Sequence, residues 1–291
     1  MYARQQRRWE LLPMEYVTEL AKTATSESMW GDNFHRPHLQ TDDILAGRNM
    51  KFIYDDAGEW NYTFADERHL HWEAPDGTSG DELYNATICP GFDQVVFFHH
   101  YRAGLDLPRC VDVILDLETG YCVFFDAYLG NPYCPREVVH DIRFGRIDGI
   151  EAPEGAMKPH FTNELTGKSI FWSHPERPRG IQYIFSSCQY YTYTMVNEDA
   201  HTCWQATNPA DYLKMKDGLY IMSVIEERQP GVQIVMLMNL NIMRDVQTCF
   251  GICGTTEEGL SPETWMHANR TGKWLDMTAD LTAGDPVIGK K

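Results

Sequence analysis

The sequence predicts an all-β chain: two consecutive antiparallel β-barrels preceded by a short N-terminal helix. Three observations carry this. Apolar and polar residues alternate with period two through most of the chain, as in Met50, Phe52 and Tyr54, then Trp60, Tyr62 and Phe64. A Leu-x-Gly-basic opening occurs twice, as Leu45-Ala46-Gly47-Arg48 and as Leu165-Thr166-Gly167-Lys168, each time ahead of two extended runs rich in Trp, Tyr and Phe. Beyond each opening the order and spacing of strands and turns agree over about 80 to 90 residues, which marks one module used twice.

Residues 9–25 read as a helix, with apolar residues at helical spacing after Pro13 and a stop at Ser26 and Gly31. Residues 26–44 read as a connection, so that 1–44 forms a leading segment. In the first module, residues 45–150, Asp55-Asp56-Ala57-Gly58 turns between the first two strands. A strand Arg68–Glu73, a loop Pro75–Gly80 and a short strand Tyr84–Ile88 follow. The apolar run Phe92–Tyr101, a hairpin of Cys110–Leu117 with Tyr121–Tyr128, and His140–Ile147 complete the meander. Residues 148–159, rich in Gly, Pro and acid, form the linker. The second module, 160–291, repeats the order with a hairpin Ser169–Val196, a short strand Tyr212–Met215, then Leu219–Glu227, Gln233–Leu240 and Val246–Ile252. Gly91-Phe92 in the first copy corresponds to Gly218-Leu219 in the second. The polar tail from Thr255, with Trp265 and Trp274, is expected to pack on a barrel.

Composition narrows the function. At 43% hydrophobic and 12% aromatic residues, the 291-residue chain can bury a sizeable core. A net charge of −17 repels phosphate backbones and anionic lipid, so neither nucleic acid nor membrane is expected as a partner. No apolar run has the length to span a bilayer, and residues 1–16 carry no apolar signal region, so a cytoplasmic location is expected. The eight cysteines are scattered without a CxxC, which fits reduced core thiols. The sequence contains no Gly-rich phosphate loop, no Gly-x-Ser-x-Gly elbow and no zinc-finger spacing.

At Leu45-Ala46-Gly47-Arg48 with Trp60-Asn61-Tyr62, and at Leu165-Thr166-Gly167-Lys168, Tyr190 to Tyr193, Asp211-Tyr212, Val235 to Met243 and Phe250-Gly251, the chain resembles the family of molybdenum-cofactor-biosynthesis protein F, MoaF. The resemblance spans roughly residues 40–255 and implies two lipocalin-like (calycin) domains and a link to molybdenum cofactor biosynthesis. It implies no catalytic residues. The hairpin opening is more distantly similar to the phenolic acid decarboxylases, calycin enzymes that act without a cofactor.

A closed barrel of about eight strands can hold one small ligand, so ionisable residues set into apolar strands are the candidates. His99 and His100 face opposite ways, and whichever points inward is a candidate general acid–base; Arg102 then suits a carboxylate. On the corresponding strand of the second module one of Glu226 and Glu227 faces inward, a candidate proton donor among Tyr183, Tyr191 and Tyr193. Trp60, Tyr62 and Tyr101 are candidates for substrate contact. His69, His71 and Glu73 share one strand face: they suit a pocket or a metal, or face water while Leu70 and Trp72 fill the barrel. No metal ligand is assigned. The expected function is cofactor-free acid–base chemistry, of lyase, isomerase or cyclase type, on a small apolar or aromatic metabolite. The alternative is a ligand-binding or accessory protein tied to molybdenum cofactor. A homo-oligomer is compatible with either.

Overall fold

The structure, a computed structural model, describes residues 14–31, 42–56, 58–130, 138–173, 179–197, 204–226, 232–256 and 259–275. Two short helices lead, α1 (Met14–Thr23) and α2 (Ser26–Trp30). The single helix expected over 9–25 is interrupted at Ala24-Thr25. Thr25 adopts an extended backbone and caps α2, its hydroxyl accepting from the Ser28 N–H while the Ser28 hydroxyl accepts from the Thr25 N–H.

The first barrel closes from eight antiparallel strands: β1 (Asn49–Tyr54), β2 (Gly58–Phe64), β3 (His69–Glu73), β4 (Ser79–Cys89), β5 (Phe92–Arg102), β6 (Arg109–Asp116), β7 (Tyr121–Leu129) and β8 (Val138–Ile147). β8 returns to β1 with Phe52 opposite Ile147 and Tyr54 opposite Gly145. Gly145 is needed at that seam because a Cβ there would lie 2.5 Å from Tyr54 Cδ1 and 2.7 Å from the Ile53 carbonyl oxygen. Gly145→Ala is therefore expected to destabilise the protein by about 1–3 kcal/mol, measured by denaturant unfolding.

The second barrel repeats the order: β10 (Ser169–Ser173), β11 (Arg179–Ile184), β12 (Tyr190–Asn197), β13 (Trp204–Lys216), β14 (Leu219–Glu226), β15 (Val232–Asn239), β16 (Arg244–Thr256) and β17 (Gly259–Leu275). β17 pairs with β16 on one side and β10 on the other, and β12–β13 pairing completes the ring. A two-residue strand, β9 (His160–Phe161), is added to β13. Gly91 and Gly218, with φ of 81° and 76°, turn β4 into β5 and β13 into β14, so the two modules do correspond there. Two expectations are corrected. The short strand Tyr212–Met215 is the end of the 13-residue β13. Within the polar tail, Gly259–Leu275 form the 17-residue β17, which closes the second barrel.

Inside the first barrel, Phe52, Tyr54, Trp60, Tyr62, Phe64, Trp72, Tyr84, Phe98 and Phe124 form one buried cluster. Their rings contact edge-to-face or offset, for example Tyr54–Phe124 at 4.9 Å and Phe64–Phe98 at 5.3 Å between centroids. The second barrel is filled by Trp172, Tyr183, Tyr191, Tyr212, Met222, Met236 and Met238. The outer faces of the two barrels bury each other: Val95, Phe97, Ile114, Val123 and Phe125 share a cluster with Leu213, Leu219, Ile221, Val235, Leu237 and Met266. Across this contact Lys216 bonds Asp116 at 2.7 Å, His140 meets Asp211 at 3.1 Å, and Asn239 donates to the Pro90 carbonyl. Cys89, Cys110, Cys122 and Cys249 are buried thiols, and Cys188 is an exposed one.

Candidate functional site

Aromatic packing fills the first barrel and leaves its mouth open. A cavity of about 440 Å³ lies among Trp60, Arg102, Arg109, Asp126 and Arg143, with Asp56, Asp76 and Asp106 among its other lining residues. Each group reaches it by strand parity. Arg102 shares the inward face of β5 with Phe98 and His100, Asp126 shares that of β7 with Cys122 and Phe124, and Arg143 pairs with Phe124 across β7–β8.

Arg102 is 4% exposed. Its guanidinium carbon lies 4.8 Å from the Trp60 ring centroid and 4.3 Å from that of Trp72, so it is held against two indoles. Asp126, also 4% exposed, accepts from Arg102 at 3.4 Å and from Arg109 at 3.2 Å, both through Oδ2. Its other oxygen, Oδ1, has no hydrogen-bond partner, nor has Arg102 Nε or Trp60 Nε1. Burial raises the Asp126 carboxyl above its ordinary value despite the pull of Arg102, Arg109 and Arg143. At the cavity floor thus lie a buried acid oxygen and a buried guanidinium N–H without partners, which a ligand group that both donates and accepts would reach once the lining side chains shift.

Beneath the floor, the Tyr62 hydroxyl lies 3.2 Å from His100 Nε2, and His100 Nδ1 lies 3.0 Å from the Tyr101 carbonyl. The carbonyl can only accept, so Nδ1 carries the proton and Nε2 accepts from Tyr62. Burial lowers the His100 pKa to about 3, so the ring is neutral at ordinary pH.

Of the residues singled out from sequence, Trp60 and Arg102 line the cavity, while Tyr62 and His100 sit below it. Three placements are corrected. His99 points out of the barrel and is buried against the second one, bonded to Asp112 and Thr264. Tyr101 also points outward and lies against Phe250 of the second barrel. His69 and His71 face solvent and pair with Asp66 and Asp81, leaving the interior to Leu70 and Trp72. His69→Ala and His71→Ala are expected to change stability by no more than about 0.5 kcal/mol in thermal unfolding and to leave ligand affinity unchanged.

In the second barrel Glu226 accepts from the Tyr191 hydroxyl at 2.8 Å, with Asn208 donating to Tyr191 at 3.5 Å. Tyr183 accepts from Arg270 at 3.1 Å, and Tyr193 stacks on Tyr191. These calls therefore group inside the second barrel and stand apart from the mouth of the first. Glu227 lies outside the described residues. Sequence reading missed Asp126, Arg109 and Arg143. The available signal was Asp126 itself, an acid in phase with Cys122 and Phe124 in an otherwise apolar strand.

Residues 27–130, from α2 through β7, match the family model described as the MoaF N-terminal domain. A search of curated proteins returns no match. Among the described residues no helix is long and apolar enough to cross a membrane.

Proposed function

We propose that this chain, whose residues 27–130 match the MoaF N-terminal domain, binds a small metabolite in the mouth of the first barrel and carries out cofactor-free acid–base chemistry on it, of lyase, isomerase or cyclase type. The observation that carries this reading is the unpartnered Oδ1 of buried Asp126 at the cavity floor. Burial raises this carboxyl's pKa, which favours a proton on it over a free carboxylate, and a neighbouring guanidinium stabilises negative charge that develops on the substrate. Trp60 offers an apolar wall for a flat or aromatic body, while Arg102 and Arg109 fix its polar end. The neutral His100 holds Tyr62 and takes no proton itself. Glu226 and Tyr191 form a second buried acid–phenol pair, but neither is among the residues lining the mouth cavity.

The test is a thermal-shift screen of small aromatic and aliphatic carboxylic acids, phenols and enols, followed by mass-spectrometric assay of each stabilising compound for turnover. A ligand that stabilises wild-type protein, fails to stabilise Trp60→Ala and is converted only by the wild type supports the proposal. The family match favours a second reading, a non-catalytic binding or accessory role linked to molybdenum cofactor biosynthesis. That reading gains if the wild-type protein binds the stabilising ligands and converts none of them.

A further inference from the structure

We propose that the interface between the two barrels holds a structural divalent metal ion, of the Zn²⁺ class, bound by His99 Nδ1, Cys110 Sγ and Asp112 Oδ1. The three side chains come from the outer faces of adjacent strands β5 and β6, where His99 pairs with Asp112 in register. They are 0%, 0% and 1% exposed, and their ligand atoms all lie within 4.8 Å of one another. Nδ1 is 2.8 Å from Oδ1 and 3.3 Å from Sγ. Imidazole, thiolate and carboxylate are donors Zn²⁺ favours, at metal distances of about 2.0–2.3 Å.

Proton accounting leads to the same place. The Thr264 hydroxyl donates its one hydrogen to the Cys249 carbonyl at 2.9 Å, so its oxygen is left to accept from His99 Nε2. The proton of the neutral ring is then on Nε2. Nδ1 is left with a lone pair facing Asp112 Oδ1, which already accepts from the Thr248 hydroxyl at 2.7 Å. A lone pair and a carboxylate oxygen at that distance repel unless something positive lies between them. That is either a second proton or a cation. Charge permits either, since imidazolium, carboxylate and a neutral thiol sum to zero and so do Zn²⁺, thiolate, carboxylate and a neutral imidazole; the Cys110 sulfur 3.3 Å from Nδ1 supplies the third donor that a cation would use. Thr264 and Thr248, both from the second barrel, would be the outer partners that orient the ring and the carboxylate. The ion would join the two barrels through them. Binding would release the Cys110 thiol proton and any proton on Nδ1 to solvent.

The test uses the full chain grown in zinc-replete medium, with metal content measured after gel filtration, and a second preparation loaded with Co²⁺. The proposal expects about one Zn²⁺ per chain and, in the cobalt preparation, a thiolate-to-cobalt charge-transfer band. Both should vanish in Cys110→Ser and in His99→Gln, and both should survive Cys188→Ser, which removes the exposed thiol. Wild-type protein without stoichiometric metal and without a cobalt–thiolate band would overturn the proposal and assign the second proton instead. So would metal and a band that persist in Cys110→Ser. The wild-type cobalt spectrum decides the matter even if the site variants fail to fold.

Discussion

Asp126→Asn is expected to lower turnover by about 10²–10⁴-fold while leaving ligand binding within a small factor of wild type. Asparagine keeps the size of the side chain and a hydrogen-bond acceptor for Arg102 and Arg109, so the floor of the cavity is preserved. It removes the buried carboxyl proposed to exchange a proton with the ligand. Where the protonated acid is required, the wild-type rate falls as pH rises through the Asp126 pKa. Because burial raises that pKa, the descending limb should lie above the ordinary aspartate value. The variant should lose the limb together with the activity, and a pH–rate profile read beside a binding isotherm checks both. A profile unchanged in shape would reassign the proton transfer to another group.

Arg270→Ala is expected to destabilise the protein by about 3–5 kcal/mol, more than any other single truncation considered. Arg270 is 3% exposed and donates through Nε to Asp245 at 2.8 Å, through Nη1 to the Tyr183 hydroxyl at 3.1 Å and through Nη2 again to Asp245. Its guanidinium also lies 5.3 Å from the Trp172 ring centroid. Truncation leaves Asp245, 1% exposed, as a buried carboxylate without its counter-charge, and opens a cavity beside Trp172. The double variant Arg270→Met with Asp245→Leu should recover much of the loss, because an apolar pair of similar volume carries no desolvation penalty. Urea denaturation of the two variants checks the pair.

The duplication and most strands were legible because alternation survives wherever one sheet face meets a barrel core and the other meets water, as in β1 to β3. It fades where both faces are buried. On β5, Val96, Phe98 and His100 face the first barrel's interior while Val95, Phe97 and His99 face the second barrel. Periodicity could say that one histidine pointed inward, but had no polar side to say which. Asp126 was hidden in the same way, on a strand whose two faces are both apolar. β17 escaped because it carries Arg270 toward its own core and Thr264 toward the other barrel, so polar residues occupy positions that a simple strand fills with leucine or valine. The mouth was illegible for a different reason. Arg102, Arg109, Asp126 and Arg143 come from four strands, and no local spacing reports their meeting.

Because β5 to β7 are apolar on both sides, neither half of the duplication has a finished exterior. Each barrel serves as the other's solvent barrier, as two subunits do in an obligate dimer. A chain cut in the 148–159 linker should therefore yield halves that cling together or aggregate, and the intact protein should melt in a single transition rather than two.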